Sequence, residues 1–205
     1  MVGRSTGVVP AVLRNPGIKA YRVVMVRDAH VDDLRCPRDS EAVTLGDGSH
    51  VVIRTLCSGE APIIREIFDG MSEESRRQRF IGPKPSLSNK DLELLASIDH
   101  ENHLAVVALD PVTGRALGDA HLVRDSLDPG VAEIAFGVVD PWQGRRLGTC
   151  LAERLVRRAR ELGVGRLRAT LFAENRRSKA MLRRQGSVID TRFEGASVEL
   201  LVALS

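Results

Sequence analysis

Residues 138–151, VVDPWQGRRLGTCL, are the stretch of sequence that decides the fold. A short β-branched run stops at Asp140-Pro141, and a glycine-containing turn through residues 143–149 leads into a helical pattern. Glycine lets backbone amides approach a ligand closely. The first N–H groups of the helix point back into the turn at the positive end of the helix dipole. A strand, turn and helix in this order predict a phosphate-binding site.

Apolar patterning on both sides of this turn predicts one α/β domain. Strands are predicted at residues 51–54, 104–109, 116–123, 132–139, 167–172, 188–192 and 198–203, and helices between 58 and 80, at 89–97, from 147 to 162 and at 175–185. The central strands are joined by turns too tight for helical crossovers, which excludes a doubly wound nucleotide-binding fold. We therefore expect a mixed, mostly antiparallel sheet of about six to seven strands flanked by helices.

The beginning of the chain differs from the rest. Residues 1–45 contain several prolines and no sustained hydrophobic period, so we expect an N-terminal arm that is extended or partly disordered. Gly46-Asp47-Gly48 is a turn signal that opens the main domain, residues 46–205. A chain of 205 residues suits one such domain.

Composition is that of a soluble globular protein, with 43% apolar and 28% charged residues. No apolar run is long enough to cross a bilayer, and no signal peptide is recognisable. The net charge is only +3, but arginine is concentrated between residues 145 and 184. Because stacking aromatics are nearly absent there, we expect a small anionic ligand, with nucleic acid as the less favoured alternative.

The three cysteines form no CxxC pair and predict free thiols, neither a disulfide framework nor a zinc site. Free thiols are typical of a reducing compartment, so a cytoplasmic location is expected. His100 and His103 stand in a polar stretch that predicts a turn before a strand, and we expect no bound metal.

The glycine turn itself has neither the spacing of a dinucleotide-binding fingerprint nor the Gly-Lys-Ser/Thr of a Walker loop. Its pattern, Gln143-x-x-Arg146-x-Gly148, resembles the acetyl-CoA pyrophosphate loop of the GNAT acetyltransferases, Gln/Arg-x-x-Gly-x-Gly/Ala. Arg146 stands where that family usually has its central glycine. An arginine can supply the same backbone N–H provided that its φ stays negative.

A second stretch, residues 171–182, resembles the later motif of the same family, in which a strand is followed by Asn and a helix. The resemblance extends from about residue 51 to 204 and implies acetyl-CoA as co-substrate. The residues that it implies in binding acetyl-CoA are Val138, Val139, Gln143, Gly144, Arg145, Arg146, Leu147, Gly148, Thr149, Asn175 and Ser178. Asn175 can also serve as an ordinary helix N-cap, and the two roles are compatible.

Acetyl transfer to an amine needs the neutral amine, and a lysine with a pKa of ~10.4 is neutral only about once in a few thousand molecules at pH 7. A base is therefore required. The candidate is Glu133, whose apolar neighbours predict partial burial and a raised pKa. By resemblance, Glu133 matches the catalytic glutamate of bacterial protein-lysine acetyltransferases. The alternative is an exposed strand carboxylate.

The strand after Glu133 is expected to expose backbone groups near Val138 and Val139, because in this family the strand splays from its neighbour there. Gly137 is a plausible place for a bulge that assists this splay. The Val138 amide is then the expected donor to the tetrahedral intermediate. Leu182 stands where many members of the family carry a tyrosine that protonates the leaving thiolate. In this chain, either water supplies that proton or CoA leaves as the thiolate.

The sequence thus predicts an acetyl-CoA-dependent N-acetyltransferase whose acceptor is most simply a protein lysine. A small-molecule amine is the main alternative acceptor. A regulatory domain that binds CoA without transfer is a second alternative, because of Arg146 and the missing tyrosine. Asp119 and His121, on a strand facing the same cleft, and the arginines at 76, 77 and 79 are acceptor-side candidates.

Overall fold

The computed structural model describes Cys36 and residues 39–205. In that part of the chain the strands are β1 (Ser40–Thr44), β2 (His50–Thr55), β3 (His103–Leu109), β4 (Ala116–Arg124), β5 (Val131–Val138), β6 (Arg166–Phe172), β7 (Gly186–Glu194) and β8 (Ser197–Leu204). The helices are α1 (Ala61–Asp69), α2 (Glu73–Phe80), α3 (Asn89–Leu95), α4 (Leu147–Glu161) and α5 (Arg176–Arg183). A short 3-10 turn, Asp140–Trp142, follows β5.

The strands form one sheet in the order β1-β2-β3-β4-β5-β6-β8-β7. Neighbouring strands are antiparallel except β5 and β6, which run parallel. That parallel pair is joined through α4, as a parallel connection requires a crossover. The predicted α/β class with a mixed, mostly antiparallel sheet is confirmed.

The sheet separates two apolar cores. On one face, α4 buries Leu147, Leu151 and Leu155 against β3, β4 and β5, and Leu182 of α5 joins the same cluster. On the other face, α1 and α3 contribute residues such as Ile67 to a second core. Alternate residues along each strand therefore point to opposite cores. As a result, odd-numbered residues of β5 face α1 and α2.

The sheet has eight strands in the described residues, where about six to seven were predicted. The additional strand is β1, Ser40–Thr44, which pairs with β2 inside the segment predicted to be an arm. Its side chains are mostly exposed, so the sequence has no buried alternation that would reveal an edge strand. The other residues predicted to form the arm lie outside the described part, apart from Cys36, Asp39 and Leu45.

The prediction that the cysteines are free is wrong for two of them, because Cys36 and Cys57 form a disulfide. The reason is topological: antiparallel pairing of Ser40 with Arg54 carries the chain before β1 back beside the residue after β2. Spacing along the sequence cannot show this proximity. Cys150 in α4 is free, and burial raises the pKa of its thiol.

Thiol titration tests the disulfide. Unreduced protein in denaturant is expected to react with a thiol reagent once per chain, and three times after reduction. Replacing Cys36 and Cys57 by serine should lower the free energy of unfolding by about 3 kcal/mol, because the bond closes a loop in the unfolded chain. Cys150→Ser is the matched control and should leave that loop closed. Three reactive thiols in the unreduced protein would contradict the assignment.

Within the described residues, none of the helices is both long enough and apolar enough to span a membrane.

Candidate active site

The parallel strands β5 and β6 separate immediately after Glu133. They pair only from Val131 to Glu133, although β5 continues to Val138. On its other side β5 remains paired with β4 as far as Val138. Within the described part of the chain, the second half of β5 therefore has a backbone edge with no neighbouring strand, facing the gap toward β6.

The hydrogen-bond alternation of β5 decides which amides face this gap. The N–H of Val139 donates to the carbonyl of Leu117 at 3.0 Å, so Val139 faces β4. In an antiparallel pair, alternate residues point to and away from the partner. The N–H groups of Val138 and Phe136 consequently point into the gap. Of the two valines predicted to bind acetyl-CoA, only Val138 offers its N–H there.

The bulge suggested at Gly137 is not present. Pairing between β4 and β5 runs in unbroken register through Gly137, which lies opposite Asp119. The gap forms because β6 diverges, which leaves β5 regular. Gly137 instead leaves room for its neighbours. A Cβ there would collide with the end of the Met71 side chain and would lie 3.2 Å from Asp119 Oδ1.

The turn after β5 is held to α2 by side-chain hydrogen bonds. Gln143 donates from Nε2 to the hydroxyl of Ser75 at 2.9 Å and to the carbonyl of Val138 at 3.0 Å. The Asp140 carboxylate accepts from the Ser72 amide and the Ser75 hydroxyl. Burial acts to raise the pKa of Asp140, but these hydrogen bonds outweigh it and the pKa is lowered. The Gln143 side chain thus stabilises the end of β5, a structural role that the sequence did not predict.

Arg145 connects the turn after β5 to the turn between β1 and β2. Its guanidinium donates to the Ser49 hydroxyl at 3.0 Å, lies 3.2 Å from an Asp47 carboxylate oxygen and stacks 4.9 Å from the Trp142 ring centroid. This side chain is directed toward the β1–β2 turn. Gly144, with a φ of 78°, uses the left-handed conformation that glycine tolerates. From Gly144 and Arg145 only backbone groups remain for a ligand at the turn.

Arg146 departs from the expected backbone geometry. Its φ is 69°, so it occupies the left-handed region at the N-cap of α4, whereas a negative φ was expected. The turn therefore requires a positive φ at this position, which explains the family's preference for glycine, and it imposes the same conformation on the arginine of this chain. A non-glycine residue in this region is strained by roughly 1–2 kcal/mol.

Arg146→Gly is therefore expected to raise the free energy of unfolding by about 1 kcal/mol, because glycine removes the strain. Urea denaturation measures the change. Arg177→Gly, at an exposed helical position of α5, is the control and should lose up to about 1 kcal/mol. A destabilised Arg146→Gly protein would show that the arginine side chain, and not its backbone, governs this site.

The N-terminus of α4 lies directly beside the free edge of β5. Thr149 and Cys150 donate their N–H groups to the Arg146 carbonyl, so the amides of Leu147 and Gly148 precede the intrahelical bonds and point out of the helix. A Cβ on Gly148 would lie 3.8 Å from the Val138 side chain. Strand edge and helix N-terminus thus form one continuous surface.

The later motif, residues 171–182, contacts α2, the helix that also holds the turn after β5. Asn175 is the N-cap of α5, accepting from the Ser178 amide at 3.0 Å, which confirms its predicted capping role. Its amide also donates to Gln78 of α2 at 2.9 Å. Leu182 is fully buried in the α4 core, so no proton donor occupies the position where many GNAT proteins have tyrosine.

Glu133 lies where β5 and β6 begin to separate. It is half-buried, faces α1 and α2, and pairs in register with Arg168 of β6. A hydrogen bond to Asp125 raises the pKa of the Arg168 guanidinium, and the charges of Glu199 and Glu133 add to that rise. Glu133 therefore stands beside a permanent positive charge.

The prediction that His103 belongs to a polar turn is wrong. His103 is the first residue of β3, is only 6% exposed, and shares a hydrogen bond with His121, which in turn contacts Asp119. Both histidines are buried because β3 pairs with β4, which the local sequence cannot reveal. His100 instead lies beside the Cys36–Cys57 disulfide, whose joined sulfur atoms are not the thiolates that metals bind.

The arginines of α2 hold that helix in place. Arg76 donates to the carbonyl of Phe68, and Arg77 stacks 4.0 Å over the ring of Phe172. Arg79 lines a small cavity against Asp119. Of the three arginines, Arg79 alone lines this cavity with Asp119.

Known proteins share this architecture and sequence. A model of the GNAT acetyltransferase domain matches residues 50–188. Acetyltransferase Pat of Mycolicibacterium smegmatis is 33% identical over 97 residues, which are 47% of this chain but only 29% of that protein. Acetyltransferase PA5475 of Pseudomonas aeruginosa is 30% identical over 135 residues, which are 65% of this chain and 72% of that protein.

A solved structure agrees with the sequence relatives. The GNAT domain of S. lividans PAT superposes with a TM-score of 0.71 at 26% identity, covering 80% of this chain and 97% of that domain. The chain therefore belongs to the GNAT acetyltransferase family.

Proposed function

We propose that the protein is an N-acetyltransferase that uses acetyl-CoA and transfers the acetyl group to a primary amine. The observation that carries this proposal is the free edge of β5 beside the N-terminus of α4. An extended pantetheine arm can pair with such an edge as an added strand. The diphosphate then meets the backbone amides of residues 144–148 at the helix N-terminus.

In this arrangement the thioester carbonyl accepts a hydrogen bond from the Val138 amide, which points into the gap. The amide would stabilise the oxyanion of the tetrahedral intermediate. The amine attacks the carbonyl carbon, its proton passes to Glu133, and CoA leaves as the thiolate. Glu133 lies five residues before Val138, about 16 Å along an extended strand, so we propose that a chain of several hydrogen-bonded water molecules relays the proton from the amine to the Glu133 carboxylate.

The acceptor that we favour is a protein lysine, since the sequence resembles bacterial protein-lysine acetyltransferases. A small-molecule amine is the alternative within the same chemistry. A CoA-binding domain without transfer is the second candidate, favoured by Arg146 and Leu182. The cytoplasmic location also stays a prediction, and the disulfide argues against it because such bonds are rare in reducing compartments.

Ligand-induced stabilisation tests the cofactor. Acetyl-CoA at about 100 times its Kd should stabilise the native state by about 2.7 kcal/mol and raise Tm. Double-stranded DNA serves as the control for the arginine-rich segment and should produce no salt-sensitive shift. Loss of acetyl-CoA in the presence of lysine peptides or small amines then measures transfer. No shift in Tm at millimolar acetyl-CoA would overturn the proposal, and binding without turnover would favour the regulatory alternative.

A further inference from the structure

Three buried polar side chains form a connected row beneath α1–α3. His103 Nδ1 lies 2.8 Å from the Ser97 carbonyl, and His103 Nε2 lies 3.0 Å from His121 Nδ1. His121 Nε2 lies 3.1 Å from Asp119 Oδ2. His103 is 6% exposed and the other two are 4% exposed. The proposed transfer step uses none of these groups.

The row fixes the position of its protons. A carbonyl only accepts, so His103 Nδ1 carries the hydrogen that faces Ser97. Burial, together with the charge of His121, lowers the pKa of His103 to about 3, so its Nε2 is an acceptor. His121 must then donate from Nδ1. The 3.1 Å contact between His121 Nε2 and Asp119 Oδ2 then holds one proton, which the two groups share.

Asp119 is the carboxyl member of this buried hydrogen-bonded pair. Its burial raises the pKa of the carboxyl, but the hydrogen bond and charge of His121 outweigh this and lower it. Oδ2 is the oxygen that His121 holds. Oδ1 is buried and has no well-aligned hydrogen-bond partner among the described residues, although the Gly137 amide contributes to the lowered pKa of the carboxyl. Leaving a buried polar atom unsatisfied costs about 1–3 kcal/mol, more when it is charged, so this atom requires a hydrogen-bond donor, either a water molecule or a polar group of a ligand.

The unsatisfied oxygen lies next to the proposed transfer site. Asp119 is opposite Gly137 in the β4–β5 register, one residue before Val138. Asp119 lines a cavity of about 10 Å³ together with Met71, Arg79 and Phe80 among others, a volume that holds about one water molecule. Met71 covers Gly137, and a methionine side chain is flexible enough to move aside for a ligand.

We propose that Asp119 Oδ1 accepts a hydrogen bond from the acceptor's primary amino group, which deepens the proposed function and rests on it. The Asp119–His121 pair is neutral overall, and Arg79 of α2 adds a positive charge nearby. The site therefore favours an uncharged amine over an ammonium ion. An uncharged amine is the nucleophilic form, and its N–H bond to Oδ1 directs the lone pair toward a carbonyl above Gly137. His121 and His103 are positioning residues.

Asp119→Asn tests the contact with a blocked lysine peptide and a small primary amine as acceptors. We expect kcat/KM for the acceptor to fall about 100-fold, while the Tm shift produced by acetyl-CoA stays within the wild-type range. Asp110→Asn, which removes a carboxylate in the turn before the same strand, is the matched control and should leave acceptor kinetics nearly unchanged. Unchanged acceptor kinetics in Asp119→Asn would overturn the inference, whereas wild-type protein that binds no acetyl-CoA would overturn the proposed function instead.

The proton positions have a separate readout on the unmodified protein. A long-range ¹H–¹⁵N NMR spectrum at pH 7 should show a proton on Nδ1 but not on Nε2 of His103, and a proton on Nδ1 of His121. This measurement does not depend on whether Asp119→Asn folds. A proton on Nε2 of His103, or none on Nδ1 of His121, would overturn this proton order and with it the preference for an uncharged amine.

Discussion

Glu133→Gln is expected to lower acetyl transfer to an amine by about 100- to 1000-fold at pH 7, because glutamine cannot accept the amine's proton. Glutamine keeps the size of the side chain, and Glu133 lies well before the strand edge that is proposed to hold acetyl-CoA. The Tm shift produced by acetyl-CoA should therefore remain. Steady-state kinetics with a lysine peptide, together with thermal unfolding, measure the two effects separately.

Glu199→Gln is the matched control for this variant. Glu199 of β8 approaches the same Arg168 guanidinium at 4.0 Å, so its removal also takes one negative charge from that arginine. Transfer by this control should stay within a few-fold of wild type. If Glu133→Gln transferred the acetyl group at the wild-type rate, the base would have to be another group.

Acidification should destabilise the protein through His103. The pKa of this residue is lowered from 6.5 to about 3, mainly by burial. Below pH 6.5 the unfolded chain binds a proton that the native state refuses, so stability falls as pH falls toward 3. Each pKa unit corresponds to about 1.4 kcal/mol, so the full loss amounts to roughly 4 to 5 kcal/mol.

Denaturant unfolding at a series of pH values between 7 and 4 measures this loss. His103→Gln should flatten the dependence of unfolding free energy on pH by up to one proton, about 1.4 kcal/mol per pH unit. His50→Gln, at an exposed position of β2, is the control and should retain the wild-type slope. Equal slopes for wild type and His103→Gln would contradict a neutral, buried His103.

The parts of the site that depend on local chemistry could be predicted from the sequence. The turn at residues 143–149 combines glycines with a following amphipathic helix, and Asn175 is a residue type that caps helices. Each of these features needs only neighbours along the chain. The strand before the turn was likewise visible from its β-branched residues.

Features set by strand pairing could not be predicted. His103 resembles part of a polar turn until β4 covers it, and Cys36 meets Cys57 only because β1 pairs with β2. The splay after Glu133 arises from the divergence of β6, so no bulge residue marks it in the sequence. Arg146 shows a further limit of prediction from sequence. A residue with a Cβ atom favours a negative φ, but the turn imposes a positive φ on Arg146.

Amide hydrogen exchange with and without acetyl-CoA is the most direct test of the claim that β5 and the α4 N-terminus form the cofactor site. Acetyl-CoA should slow exchange in peptides that cover residues 134–139 and 143–149, because the outward-facing amides of Phe136, Val138 and residues 144–148 become covered by or hydrogen-bonded to the ligand. Peptides from β7 should exchange at the same rate in both samples. Protection confined to other segments, or none at all at saturating acetyl-CoA, would contradict the account.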